Sequence, residues 1–148
     1  MQRILILGGG VGGTLTANLL AKQLRRELKT GEMTITVVDT TGVHTYQPGF
    51  MYIAMGGERA EHLQRPERGL LNSRVNLVVG EVDVVRPDDS VVVLDDGTEL
   101  AYDQLIIATG THPRRDQTPG LDGDDYGVTV HDFYTLEGAT RLAEVLSD

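Results

Sequence analysis

An α/β protein, a Rossmann-like βαβ domain carrying an inserted antiparallel β-meander, is predicted by two stretches of the chain. In the first, an apolar run from Arg3 to Leu7 (RILIL) leads into a cluster of glycines and then a helical pattern. A second branched run, Thr34 to Val38 (TITVV), follows and is closed by Asp39. Strand, glycine turn, helix and strand in that order make a βαβ unit with a right-handed crossover. In the second stretch, extended runs punctuated by turn residues fill 75–108 and end in Thr109-Gly110.

Each element has its own warrant. RILIL is short, continuous and branched, as a strand buried on both faces must be. From Thr14 to Leu28 the leucines at 15, 19, 20, 24 and 28 recur at helical spacing, and Gly31 stops the helix. Residues 40–57 read as a loop with embedded aromatics: His44, Tyr46, Phe50 and Tyr52 around Pro48-Gly49. The polar stretch 59–72 holds a short helix or irregular chain. From Val75 the runs VNLVVGEV, SVVVLDD and ELAYD predict a β-meander over 75–102, with Asp96-Gly97 as a hairpin turn. Leu105 to Ala108 (LIIA) is a further buried strand. Residues 111–127 form a loop, and 133–146 an amphipathic helix with Leu136, Ala139, Leu142, Ala143 and Leu146 on one side. The organisation expected is one domain over 1–148, with a phosphate-binding βαβ unit at 1–39 and the meander plus final strand at 75–110.

Composition narrows the function classes. The chain has 148 residues, with 13 Lys+Arg against 22 Asp+Glu and a net charge of −9. Such a surface repels nucleic-acid phosphates and anionic lipid, and the pairs Arg25-Arg26 and Arg114-Arg115 are too short to reverse that. Cysteine is absent, which excludes disulfides, thiolate metal sites and a Cys nucleophile on this chain. No run approaches the roughly 18 apolar residues of a membrane span, and the N-terminus lacks a signal-peptide pattern; a cytoplasmic protein is expected. Glycine is in excess, 18 residues of 148 against a usual share of about 7%, which points to tight turns and close backbone approaches.

Gly8, Gly10 and Gly13 satisfy G-x-G-x-x-G, and the flanking strand and helix give that pattern its meaning. Gly8 permits the tight turn, Gly10 lets the backbone approach a pyrophosphate, and Gly13 lets the helix pack closely on the strand. With Val11 and Gly12 they complete the turn, and the helix N-terminus offers free N–H groups and a partial positive charge to phosphates. Asp39 stands at the carboxyl end of the second strand, where a carboxylate can accept both ribose hydroxyls. Its separation of 26 residues from Gly13 exceeds the usual roughly 20, and an extended turn at 29–33 absorbs the difference. A carboxylate there would meet a 2′-phosphate with like charge, so the expected ligand is FAD or NAD(H).

Other polar residues point nowhere definite. His44, His62, His112 and His131 lack metal-ligand spacing, and Asp122, Asp124 and Asp125 lack the rest of a calcium loop. No metal site is expected. Thr14, Thr16, His112 and His131 are candidates to face a flavin, with no proton-transfer role assignable. No catalytic residue is identified.

The segments ILGGGVGG…VVD and DGTELAYDQLIIATG together resemble the N-terminal FAD-binding part of the pyridine nucleotide-disulfide oxidoreductase-like flavoproteins. The resemblance implies that Gly8, Gly10, Gly13 and Asp39 hold the ADP part of FAD. It also places Thr109 and Gly110 beside the flavin's pyrophosphate side, and the Val82 backbone against the adenine. The loop HTYQPGFMYIAMGG (44–57) is similar to that of sulfide:quinone oxidoreductases and type II NADH dehydrogenases, where it packs near the flavin. HDFYTLEGATRLAEVL (131–146) resembles the segment leading toward those enzymes' second dinucleotide domain. The resemblance implies electron transfer from a small reductant or NADH to a quinone-like acceptor by a longer parent, peripheral at the inner face of a membrane. The chain departs from that pattern twice. The stretch YGVTVHD (126–132) lacks the redox Cys of the sulfide enzymes, and the sequence stops before a second nucleotide domain. It therefore reads as a fragment, inactive alone. The alternatives are a stand-alone, non-catalytic dinucleotide-binding module, and a fragment that covers its open core face as a homo-oligomer.

Overall fold

The computed structural model describes residues 1–121 and 123–147. They form two compact units: Met1–His44 with Arg65–Gly110, and Thr45–Gln64 with the chain from Thr111 onward.

The first unit is built on a four-stranded parallel sheet of order β5-β2-β1-β9, with β1 (Gln2–Leu7), β2 (Met33–Asp39), β5 (Val75–Val79) and β9 (Gln104–Ile107). Period-two alternation sends consecutive β1 side chains to opposite faces. Ile4 and Ile6 pack with Ile35, Val37 and Val75 beneath α1 (Val11–Gln23), against Ala17 and Ala21. Leu5 and Leu7 pack with Val38 on the other face, against Val92, Leu94 and Tyr102. That second layer comes largely from a three-stranded antiparallel sheet, β6 (Val82–Arg86), β7 (Val91–Leu94) and β8 (Glu99–Ala101). From Ile4 to Leu7 the strand is apolar because both of its faces are covered. Each fully buried Ile or Leu contributes roughly 1.5–3 kcal/mol.

Three details differ from the sequence reading. The helical stretch begins at Val11 and divides at Leu24, where the backbone leaves helical geometry (φ −94°, ψ 27°), before α2 (Arg25–Thr30) ends on Gly31. Its buried face is Gly13, Thr14, Ala17 and Ala21, not the leucine stripe. Leu15 and Leu19 are 56% and 51% exposed, while Leu20, Leu24 and Leu28 pack at the rim of the core. A helix that lies close on a sheet needs small residues at the contact, and the bulky ones are displaced to its flanks. Finally, Val75–Val79 pairs with β2 in parallel (Ile35 opposite Val75) rather than joining the meander. Its register ends where Gly80 N–H donates to the Asp39 carbonyl at 3.0 Å, and the meander starts two residues later. The Asp96-Gly97 hairpin is as expected: Leu94 and Thr98 flank it, with the Gly97 N–H donating to the Leu94 carbonyl at 2.9 Å.

The helix correction is testable. Ala17 is fully buried, so Ala17→Leu should overpack the helix–sheet contact and cost about 1–3 kcal/mol. Leu15→Ala should stay within about 0.5 kcal/mol of the parent. Urea midpoints of the two variants check this, and a larger loss from Leu15→Ala would reverse the assignment of the buried face.

Short strands β3 (Val43–Thr45) and β4 (Gln64–Pro66) pair where the chain passes between the units, and α4 (Glu67–Leu70) follows. In the second unit, α3 (Phe50–Ala54) packs on α5 (Leu136–Ser147) through Phe50, Ile53, Ala54 and Ala139, joined by Leu63, Leu136 and Leu142. Much of the expected loop is thus helical, and its Phe50 is core while Tyr46 and Tyr52 stay exposed. Thr135 caps α5, its hydroxyl oxygen accepting the Gly138 N–H at 2.9 Å. Among the described residues no helix is long and apolar enough to cross a membrane.

Candidate dinucleotide site

Because β1, β2, β5 and β9 run parallel, their carboxyl ends lie along one edge of the sheet. From β1 the chain proceeds to β2 on one side, while β9 lies on the other. The glycine turn therefore leaves β1 where the strand order reverses, which is where open α/β sheets place ligands.

The geometry of the turn explains its glycines. Gly8 has φ +102°, and a Cβ there would stand 2.4 Å from the Ala108 carbonyl oxygen and 3.2 Å from Thr109 Cα. The Ala108-Thr109 strand end presses directly on the turn. At Gly13 a Cβ would fall 1.8 Å from the Gly8 carbonyl oxygen and 3.4 Å from Ile6 Cγ2, so the first turn of α1 rests on the strand end it has just left. Gly10 is the opposite case: a Cβ would meet nothing within 4 Å. It is the N-cap of α1, with ordinary φ of −70° and no side chain supplying a cap hydrogen bond. The helix N-terminus thus has open space beside Gly10 and no side chain occupying its cap, the condition an anion site requires. The residues present fit a dinucleotide's phosphates.

Asp39 is placed at the end of β2 as expected, but its carboxylate is also used within the protein. Oδ2 accepts the Gly9 N–H at 2.9 Å, and Oδ1 accepts the N–H groups of Thr41 (3.0 Å) and Gly42 (2.7 Å) and the Thr41 hydroxyl (3.2 Å). Partial burial pushes its pKa up. The N–H donors from Gly9, Gly42 and Thr41 and the Thr41 hydroxyl outweigh that, and the carboxyl is held below the usual Asp range. A carboxylate offers about four acceptor positions. With Oδ1 saturated, Oδ2 retains room for one further donor rather than the expected pair.

Gly110 follows Thr109 with φ +75°, and Val82 opens β6 three residues beyond Val79, which is paired with Asp39. The nine residues singled out from the sequence, Gly8, Gly10, Val11, Gly12, Gly13, Asp39, Val82, Thr109 and Gly110, thus all belong to the first unit. They sit at or just past the carboxyl ends of its parallel strands. Asp122 lies outside the described residues; Asp124 and Asp125 are exposed.

Sequence reasoning missed a buried polar group behind the turn. Glu67 is fully buried. Its Oε1 lies 2.6 Å from Thr14 Oγ1, which is also 2.9 Å from the Gly9 carbonyl oxygen. Its Oε2 lies 3.2 Å from His44 Nδ1, and that nitrogen is 2.9 Å from the same Gly9 oxygen. A carbonyl oxygen only accepts, so Nδ1 carries a hydrogen. Thr14, a candidate to face a flavin, instead turns its hydroxyl inward. Nothing in the local pattern of PERGL signals a buried acid, because glutamate is ordinarily a surface residue. The burial follows from Glu67 opening α4, with its N–H bonded to the Gly42 carbonyl at 2.8 Å.

A parallel sheet with a glycine turn at its switch point and an acid at the end of the second strand is the arrangement of a Rossmann-type dinucleotide fold. Comparison makes the class specific: the chain belongs to the pyridine nucleotide-disulphide oxidoreductase family, whose model matches residues 2–146. That family is flavin-dependent. The chain is 29% identical over 148 residues to the mitochondrial sulfide:quinone oxidoreductase of Dictyostelium discoideum, covering 99% of this chain and 31% of that protein. It is 39% identical over 150 residues to the demethylphylloquinone reductase NdbB of Synechocystis sp., covering 97% of this chain and 35% of that one. In structure it is similar to the sulfide:quinone oxidoreductase of Aquifex aeolicus, with a TM-score of 0.80, 23% identity, and coverage of 99% of this chain and 32% of the other. The chain spans about a quarter to a third of the curated relatives it matches.

Proposed function

We propose that this chain is the FAD-binding part of a flavin-dependent oxidoreductase, and that the whole protein passes electrons from a small reductant or NADH to a quinone-like acceptor. The observation that carries the cofactor reading is the Gly8–Gly13 turn, closed behind by the Gly13 contact and open in front of Gly10. The quinone reading draws on relatives named for sulfide:quinone and demethylphylloquinone chemistry.

In this reading Gly10, Val11 and Gly12 present backbone N–H groups and the helix dipole to the pyrophosphate. Oδ2 of Asp39 receives a ribose hydroxyl, and its charge excludes a 2′-phosphate. The Val82 backbone borders the adenine, and Thr109 and Gly110 border the pyrophosphate on the flavin side. Bound flavin supplies the redox chemistry, and the protein supplies position and electrostatics. With no cysteine among the 148 residues, thiol chemistry on sulfide would fall to residues beyond them.

Titration of the purified chain with FAD, followed by flavin fluorescence, tests the reading, with NADH and NADPH as rivals. Saturable FAD binding that NADPH does not displace is the expected result. Binding of NADH in preference to FAD would sink it.

A further inference from the structure

Both sides of the Gly9 residue are tied down. Its N–H donates to Asp39 Oδ2 at 2.9 Å. Its carbonyl oxygen receives His44 Nδ1–H at 2.9 Å and lies 2.9 Å from the Thr14 hydroxyl. Glu67 stands behind both of these, 2.6 Å from Thr14 Oγ1 and 3.2 Å from His44 Nδ1. The four residues come from three separate stretches of the chain: Asp39 holds the N–H of the Gly8–Gly9 peptide, and the other three gather at the carbonyl of the Gly9–Gly10 peptide.

The Gly9–Gly10 peptide sets the direction of the next donor. Among the described residues there are no cis peptide bonds, and in a trans peptide the C=O and the following N–H point in opposite directions. Holding the Gly9 carbonyl inward therefore aims the Gly10 N–H the opposite way, away from Thr14 and His44. A fully buried carboxyl is costly unless it is bonded, and an apolar side chain would fill the same volume without that cost. What an apolar residue could not do is hold the Thr14 hydroxyl and the His44 ring in place beside the Gly9 oxygen.

We propose that Glu67 is a positioning residue for the dinucleotide turn: acting through Thr14 and His44, it locks the Gly9–Gly10 peptide with the Gly10 N–H presented to the ligand's phosphate. The proposal rests on the dinucleotide reading above and adds to it a residue far from the glycine motif in sequence. Glu67 itself touches no ligand. Its effect is on the orientation of a donor that does.

The experiment uses the 148-residue chain labelled with ¹⁵N. Glu67→Met keeps the volume and removes the bonds; Thr14→Val keeps the shape and removes the hydroxyl, whereas Thr14→Ser restores it. In Glu67→Met and Thr14→Val the Gly10 amide signal should move in the free chain. Their FAD dissociation constants should rise about tenfold or more, the worth of one good hydrogen bond to a charged group. Thr14→Ser should bind as the parent does. A purely structural role would lower the unfolding midpoint and leave the Gly10 signal and FAD affinity of the folded fraction unchanged, and that result overturns the proposal. If Glu67→Met does not fold, the Thr14 pair decides alone. If the parent itself binds no FAD, the cofactor reading fails instead. The lock is then judged on the free chain, where an unmoved Gly10 amide in Thr14→Val rejects it.

Discussion

Replacing Gly13 by alanine is expected to cost about 3 kcal/mol or more, at the upper end of what overpacking does. Two effects oppose each other at this position. Alanine is the better helix former by about 0.8–1 kcal/mol, and Gly13 lies in the first turn of α1. Against that, the added Cβ would stand 1.8 Å from the Gly8 carbonyl oxygen, where ordinary heavy-atom contact is about 3.5 Å. The obstacle is backbone, so no rotamer change relieves it; helix and strand end must separate, opening the core around Ile6 and Ala17. Gly10→Ala makes the matching control. Its methyl meets nothing, and its φ of −70° suits any residue, so the free chain should change by no more than about 0.5 kcal/mol. The same methyl occupies the side on which a phosphate would approach, so FAD binding should be lost. Urea unfolding by circular dichroism with a parallel FAD titration separates the two. A Gly13→Ala chain with the parent's midpoint would mean that the helix does not rest on the turn.

The contrast between these two glycines shows what was readable in the sequence. Both were singled out from a single motif, and the reasons given for each, open approach at Gly10 and close packing at Gly13, match what a Cβ would meet. The strands β1 and β2 are legible because each carries a short apolar run bounded by turn residues. Leucine spacing marks this stretch as a helix without marking its buried face. In α1 the contact with the sheet is so close that Ala17 and Ala21 carry it, and the leucines are left at the rim or in solvent. Val75–Val79 reads as part of the meander because alternation and apolarity are local, whereas its parallel pairing with β2 is set by topology that periodicity does not express. Glu67 was invisible. Its meaning depends on Gly9, Thr14 and His44 arriving at the same point, which is a property of topology rather than of spacing.

Asp39 joins the legible part of the site to the illegible part, and its removal is the second large effect expected. Asp39→Ala leaves the N–H groups of Gly9, Thr41 and Gly42 without their acceptor. A lost acceptor costs roughly 1–3 kcal/mol when the donor is buried. Asp39 is only partly buried, so water recovers some of this, and a total of about 1–3 kcal/mol is expected. The pH dependence has a definite sign. Folding lowers the pKa of this carboxyl, so its contribution is fully present above the unfolded value of about 3.9 and is lost as pH falls through the folded value. The stability gap between parent and Asp39→Ala should therefore be constant at neutral pH and close below about pH 4. A gap that persists undiminished into stronger acid would mean that the uncharged carboxyl holds the turn equally well. Nucleotide discrimination should respond separately. The charge that steadies Gly9 is also the one that would repel a 2′-phosphate, so Asp39→Asn should bind NADPH more nearly as well as NADH. If selectivity stays fixed while stability falls, Asp39 serves the turn and not the ribose.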